Sequence, residues 1–437
     1  MLSLPRGCTS RRQLLVSAPL HFVLALAVIL LSREAATAES VPLLGEVSAI
    51  QAALADRGIR PSLTYEGDAF FNISGGLRRG GTYLDKLDLQ VAIDLNRLLA
   101  WPGATAFIYG MGTHGGKPSS YSGEAQLVSE IEAPNDWKLE EGWFEQKLWA
   151  DRLSILIGRY DLNRDFYRLD AADPLLNSSF GIGPEFSLTS AGPSIFPNTS
   201  VGMRVEGNIG SGLIVRAAVL DGLPVNRPGG AAIFAPGDGL LLVGEAEFLI
   251  SAGEKLESRR RFRLGRIDTP SAELKIALGG WHYTAEFDDL TRTRSNGLPV
   301  RHQGNSGAYL IAEAVLYRAS GRTWRVFGQV GGADPRINRF VLYTAGGASV
   351  SGAIPGRDKD ILELAVAAAH NGDPYREQQR AMGEETNRSE VVLELTYLAQ
   401  VTRWLQVQPD LQYVINPNTR PRVGNALVTL IRFQLSF

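Results

Sequence analysis

Apolar and polar residues alternate with a period of two over several long segments of this chain. Leu87, Leu89, Val91, Ile93 and Leu95 alternate with Asp88, Gln90, Ala92, Asp94 and Asn96. Val391, Leu393, Leu395, Tyr397, Ala399 and Val401 alternate with a face carrying Glu390, Glu394, Thr396, Gln400 and Thr402, interrupted by Val392 and Leu398. Leu405, Val407, Leu411, Tyr413 and Ile415 alternate with Gln406, Gln408, Asp410 and Gln412. Successive side chains of a strand point to opposite faces, so each segment predicts a strand with one apolar and one polar side. Weaker alternation occupies residues 142–149, 153–160, 212–220, 240–250, 274–286, 308–318, 323–331, 338–348 and 361–370. Clusters of Gly, Pro, Asp and Asn separate these segments, as hairpin connections require.

The last ten residues sharpen the picture. Ile431, Phe433, Leu435 and Phe437 share one face, Arg432, Gln434 and Ser436 the other, and the chain ends on the aromatic Phe437. An apolar outer face, a polar inner face and a terminal aromatic residue fit the closing strand of an outer-membrane β-barrel. A soluble sandwich with an ordinary edge strand is the alternative, because charges such as Asp88, Glu145, Glu245, Glu247, Glu390 and Glu394 serve equally as a solvent face or as the lining of a wet lumen.

The amino terminus favours the barrel. Arg6, Arg11 and Arg12 precede an unbroken apolar run from Phe22 to Leu31, and Ala36-Thr37-Ala38 supplies a small-residue cleavage pattern. This predicts a secretory signal peptide over residues 1–38. An uncleaved anchor is the alternative, against which the apolar run is short. The only cysteine is Cys8, inside that segment, so the exported chain has no thiol for a disulfide or a metal site. Net charge is −2 for the whole chain, which gives no reason to expect a nucleic-acid partner. Beyond residue 38 no stretch of about 18 apolar residues occurs, so a membrane-embedded form must use strands. Removing the leader leaves roughly 400 residues, room for about 16 strands with their turns and loops. Barrels of that size hold an aqueous channel. The expected fold is therefore all-β: a transmembrane antiparallel barrel of about 16 strands over residues 63–437, preceded by a leader over 39–62. Leu44, Val47, Ile50 and Leu54 give that leader helical spacing, and Gly58 would end the helix.

Ordered blocks along the chain resemble the carbohydrate-selective porin (OprB-type) family. They include Leu54-Ala55-Asp56-Arg57-Gly58-Ile59, Asn72-Ile73-Ser74-Gly75-Gly76-Leu77-Arg78-Arg79-Gly80 and Leu98-Leu99-Ala100-Trp101-Pro102-Gly103-Ala104. Further blocks are Leu148-Trp149-Ala150-Asp151-Arg152-Leu153, Leu176-Asn177-Ser178-Ser179-Phe180-Gly181, Ile354-Pro355-Gly356-Arg357-Asp358 and Gln408-Pro409-Asp410-Leu411-Gln412-Tyr413. One block departs: Glu46-Val47-Ser48 stands where the family has a Trp-Gly-Gly run. The resemblance implies a 16-stranded outer-membrane channel for passive, carbohydrate-selective uptake of small sugars. It implies sugars, outer-membrane lipid, lipopolysaccharide and the barrel-assembly machinery as partners.

A sugar needs donors and acceptors for its hydroxyls and aromatic faces for its C–H surfaces, held weakly enough to let it leave. On that chemistry Trp143, Glu145, Arg159, Asp161, Glu394 and Asp410 are candidate lumen residues. The resemblance adds Arg78 and Arg79, placing their Gly-rich block near the constriction. Phe433, Leu435 and Phe437 are the candidate assembly signal. No catalytic residue, cofactor or metal is expected: none of His114, His282, His302 and His370 forms H-E-x-x-H, and no G-x-S-x-G elbow occurs. A general diffusion pore, an outer-membrane barrel hydrolase and a soluble polysaccharide-binding β protein are the remaining alternatives.

Overall fold

A computed structural model describes residues 50–189, 192–224, 234–235, 237–250, 261–263, 266–268, 273–319 and 321–437. The segment read as a signal peptide, and residues 39–49 of the leader, lie outside the described residues.

The strands run in chain order as β1 (Ile59–Gly76), β2 (Gly80–Asp94), β3 (Ala104–Gly115), β4 (Asp136–Leu148), β5 (Leu153–Tyr160), β6 (Ser200–Gly210), β7 (Leu213–Asp221), β8 (Leu240–Ile250), β9 (Arg261–Arg263), β10 (Arg266–Asp268), β11 (Leu274–Thr293), β12 (Pro299–Ala319), β13 (Arg322–Ala333), β14 (Phe340–Ser351), β15 (Ile361–Asn371), β16 (Ser389–Gln400), β17 (Leu405–Ile415) and β18 (Gly424–Ser436). β9 and β10 pair only with each other; the other sixteen close into one antiparallel barrel, each bonded to its neighbours along the chain, with β18 returning to β1. Closure leaves no edge of a barrel strand unpaired, which a barrel in lipid requires. The last residue completes the seam. The Phe437 N–H donates to the Leu63 carbonyl at 2.9 Å, and the Leu63 N–H donates to the Phe437 carbonyl at 3.1 Å.

The start of β1 and the end of β18 lie at one rim. Loop 161–199 crosses at the opposite rim, as does loop 116–135. In outer-membrane barrels the end with longer loops faces outward, which puts the termini on the periplasmic side. The outward face is apolar at mid-height: Ile108, Ile157, Leu278, Leu310 and Leu364 are all exposed. Such a continuous belt is costly in water and at home in hydrocarbon.

The helix of the leader covers residues 50–56 among those described. Gly58 ends it in the left-handed region (φ +86°), where a side chain is disfavoured. β1 then begins at Ile59, inside the segment read as leader.

Three barrel strands, β1, β3 and β6, lie outside the segments that alternation marked, as do the short β9 and β10. On β3 the reason is physical. Phe107, Tyr109 and Met111 are buried on the inner face while Gly110 and Gly112 take outward positions, so its polarity pattern is nearly inverted. The inner aromatics exist because the lumen is not empty.

Candidate functional site

The 39-residue loop 161–199 and the 20-residue loop 116–135 both fold into the barrel and form one diaphragm. The Glu130 N–H donates to the Leu176 carbonyl at 2.8 Å and the Ser178 N–H to the Leu127 carbonyl at 2.9 Å, so the loops bond to each other inside the barrel. An apolar core sits beneath the long loop, where Phe166, Tyr167, Leu169, Phe180 and Phe186 pack on inner-face aromatics of the wall. Phe186 stacks on Trp281 with centroids 4.7 Å apart, and Tyr167 meets Tyr309 at 4.0 Å. Gly331 permits this approach: a Cβ there would fall 1.9 Å from Glu185 Oε1.

Irregular backbone inside a barrel needs acceptors for its N–H groups. Carboxylates on the inner wall supply them. Glu245 accepts the Tyr167 N–H at 2.9 Å and Glu313 accepts the Ala171 N–H at 2.6 Å. Glu394 accepts from Leu176 at 2.6 Å and Asn177 at 3.1 Å. Glu390 accepts from Ala125 at 2.9 Å and Gln126 at 2.7 Å. Gln329 and Tyr343 hold the long loop from the other polarity, donating to the Phe180 carbonyl at 2.9 Å and the Ser179 carbonyl at 2.7 Å.

Opposite this supporting wall a cavity of about 1860 Å³ opens between β1–β4 and the diaphragm, which touches that wall only in places, such as Ser129 on Asp68 at 2.7 Å and Arg164 on Glu141. Its rim at the short-turn end includes Gln51 of the leader helix, Arg403, Trp404 and Phe437. Glu66, Lys86, Asp88 and Tyr109 line the wall side. Lys86 Nζ lies 3.2 Å from Glu66 and 3.1 Å from Asp88, and Tyr109 donates to Asp88 at 2.7 Å. The same ammonium stands 5.7 Å from the Phe196 ring across the passage. On the diaphragm side Arg164 binds Glu141 through two hydrogen bonds, at 2.5 and 3.1 Å, and lies over the Phe107 and Trp143 rings at 4.7 and 5.3 Å. Leu188 is 52% exposed inside the barrel, an apolar surface offered to whatever passes.

The candidates from the sequence separate in space. Asp161 lines the cavity. It caps the turn Leu162–Arg164, accepting the Asn163 N–H at 2.8 Å. Burial, and then the charge of Glu141, push its carboxyl up to about 7. Trp143 borders the same region, donating to Glu141 at 3.0 Å beneath Arg164. Glu145 shares the inner face of β4 with Trp143, as expected. It is taken up by Ser154 at 2.6 Å and Arg204 at 3.0 Å, and Arg204 in turn holds Asp165 of the long loop at 3.0 Å. Arg159 donates to Thr199 at 2.8 Å. Glu394 and Asp410 are fully inward, but the diaphragm covers them and the cavity lining does not include them. The expectation that the inner carboxylates face open water thus needs correcting for Glu145, Glu245, Glu390, Glu394 and Asp410, because folded loop occupies their side of the lumen. Asp94 is corrected too: it caps the short helix Leu95–Leu99 in the turn after β2. Arg78 and Arg79 stand exposed at the outer rim, away from the cavity lining, with Arg78 4.0 Å over the Tyr121 ring. Glu66, Lys86, Tyr109, Glu141 and Arg164 were not singled out from the sequence. Lys86, between Asp85 and Asp88 near the start of a strong strand, carried a usable signal; Arg164 carried none.

A sixteen-stranded barrel narrowed by inward loops, with paired charges beside aromatic faces, has the architecture of a small-solute channel. The model of the family described as carbohydrate-selective porin, OprB family, matches residues 78–437. The chain belongs to that family. Porin B of Pseudomonas aeruginosa is 25% identical over 438 residues, covering 92% of this chain and 93% of that protein. The high-pH structure of OprB from Pseudomonas putida superposes with a TM-score of 0.78 at 22% identity, over 90% of this chain and 97% of that one. The low-pH structure of the same protein gives 0.56 at 20% identity with the same coverage. This porin is thus an integral β-barrel of the outer membrane, a channel for carbohydrate-selective diffusion.

Proposed function

We propose that selectivity for small neutral sugars arises at the passage between the β1–β4 wall and the edge of the diaphragm. The observation that carries this reading is the pairing of Lys86 with Glu66 and Asp88 opposite Phe196, with Arg164 and Asp161 alongside. Paired charges present donors and acceptors to hydroxyls without a large local net charge, and Phe196 and Leu188 offer surface for C–H contact. Each contact is weak, so a sugar gains enough to enter and loses little on leaving. A general diffusion pore shares the fold but lacks this requirement for matched polar and apolar surfaces.

The test is liposome swelling with the purified protein, using a pentose, a hexose, a disaccharide and a neutral non-sugar solute matched in size to the hexose. Sugars are expected to enter faster than the matched solute. Arg164→Ala and Asp161→Asn are expected to erase that advantage by several-fold while the barrel still shifts on heating. Entry ranked by size alone would reduce the protein to a general pore. Phe433, Leu435 and Phe437 are proposed as the signal read by the assembly machinery. Deleting Phe437 is then expected to lower the amount inserted in the membrane more than the heat stability of the inserted fraction.

A further inference from the structure

Neighbouring strands of the barrel are joined by the chain that runs between them, with one exception: β1 and β18 are held by their ladder alone. A connection keeps two strands at high local concentration when their ladder opens, and the seam has none. The seam ladder is also irregular toward the outer rim, with register shifts between Asn72 and Ser74 and between Ser74 and Gly76. On its ladder alone, the seam is the weakest line of the wall.

Loop 116–135 leaves from β3 and returns to β4, yet its inward part docks on both sides of the seam. On β1, Asp68 accepts from the Ser129 hydroxyl at 2.7 Å, and the Asn72 amide donates to the Tyr121 carbonyl at 3.2 Å. On β18, Arg432 donates to Glu130 at 2.7 Å. On β17, Gln412 donates to the Val128 carbonyl at 2.8 Å. Asp68 and Arg432 are themselves register partners across the seam, joined by two hydrogen bonds at 2.8 and 2.9 Å. One buried carboxylate–guanidinium pair thus binds both strands and the loop. Where the ladder loses its register, the Tyr121 carbonyl also accepts the Leu77 and Arg78 N–H groups, at 2.7 and 3.0 Å.

The inner wall is built to receive this loop. Phe70 and Leu430, a second pair of register partners across the seam, face inward beside Val428 of β18, Val414 of β17 and Val392 of β16. Apolar side chains on the inner face of a water-filled barrel are costly unless something dry covers them. Here they are buried, because Val128 of the loop, itself fully buried, packs on them with Leu176. None of these apolar residues lines the cavity, so the passage of solute does not account for them.

We propose that loop 116–135 is a clasp that holds the β1–β18 seam shut from inside the barrel, with Val128, Ser129 and Glu130 as its grip. It bridges the first and last strands where no hairpin does, by apolar contact on Phe70 and Leu430 and by hydrogen bonds to Asp68 and Arg432. The clasp works whichever solute the passage selects.

The test measures how fast the folded band of the full-chain barrel converts to the unfolded band in dodecyl sulfate at a fixed elevated temperature. The variant V128S/S129A/E130A changes the loop only, leaving every strand residue and the Asp68–Arg432 pair in place. It is expected to unfold at least about tenfold faster than wild type, having lost an apolar contact and two hydrogen bonds to charged groups. F186S, which removes the long loop's stack on Trp281 away from the seam, is expected to unfold at nearly the wild-type rate. A second arm adds A69C/I431C, register partners on the outer face of the seam, opposite each other as a disulfide requires. With that disulfide closed, the loop variant and wild type are expected to unfold at the same rate, and reduction is expected to restore the difference. Should the triple variant yield no folded band, V128S alone is expected to show a smaller acceleration that the disulfide also removes. An unchanged rate in a folded loop variant overturns the proposal, as does an equal acceleration by F186S. A difference that persists with the seam disulfide closed also overturns it, because the loop would then support the fold as a whole rather than the seam.

Discussion

The inner walls of β1–β4 and of β8–β17 carry the same kind of side chain and put it to different use. Glu66 and Asp88 on the first wall meet Lys86 and an open cavity. Glu245, Glu313, Glu390 and Glu394 on the second accept N–H groups from folded loop. Residue type does not distinguish the two sets; what stands opposite them does. A strand carboxylate offers two fixed oxygens, and a loop forced inside a barrel has amides that no ladder satisfies. The barrel is thus divided into a supporting wall that shapes the aperture and a working wall that faces the solute.

The strongest way to break this division is to remove two supports at once. Glu390→Ala with Glu394→Ala orphans five loop N–H groups, those of Ala125, Gln126, Leu176, Asn177 and Asn418, each at a cost of roughly 1–3 kcal/mol if it stays buried. The loops are expected to detach from β16 and swing into the pore axis or out of the barrel. Single-channel conductance should change several-fold, and the advantage of sugars over a size-matched solute should disappear. The heat-shifted band should persist, since the strand ladder is untouched. Wild-type conductance and discrimination in the double variant would show that these carboxylates do not set the aperture.

The complementary change acts on the working wall. Lys86→Met leaves Glu66 and Asp88 without their ammonium and removes the cation facing Phe196. Sugar entry is expected to fall a few-fold, and the reversal potential in a salt gradient should move toward cation preference. Conductance should change less than in the support variant, because the loops remain anchored. A large change in conductance from Lys86→Met would erase the distinction between the walls.

Much of the barrel could be read from alternation alone, and the division of labour inside it could not. β5, β8 and β17 fall on residues 153–160, 240–250 and 405–415, where period-two patterning placed them. Arg432, Gln434 and Ser436 face inward as the closing-strand pattern requires. Alternation reports which face a side chain takes, but not what fills the space beyond it. Glu394 meets Leu176 across 218 positions of sequence, and Gln126 meets Glu390 across 264. Nothing near either residue announces such a partner. Inner aromatics such as Trp281, Tyr309 and Tyr343 were the available sign of a plugged half-lumen, since apolar groups on a polar face need a dry partner. Arg164 lies in a loop with no periodicity, so its place over Phe107 and Trp143 emerges only from the fold.

The smallest expected effect concerns a carboxyl that belongs to the loop rather than to the wall. Glu185 sits in the short helix Pro184–Ser187, fully buried against Gly331 and Tyr343. Tyr167 donates to its Oε1 at 2.9 Å, while Oε2 has no hydrogen-bond partner among the described residues. Burial pushes this carboxyl up to about 7 from an ordinary value of 4.5. The docked loop therefore holds the proton more firmly than an undocked one. Docking is unpenalised below the ordinary value, grows costlier as pH rises toward 7, and carries a constant penalty above it. Relief of the whole shift on undocking would be worth about 3 kcal/mol, an upper bound because the loop opens only in part. Limited proteolysis of residues 161–199 should accordingly quicken between pH 5 and pH 8 in wild type. Glu185→Gln is neutral at every pH and should flatten that profile. A parallel rise in the variant would assign the pH response to another carboxyl, with Asp161, also raised to about 7 at the edge of the passage, the next to change.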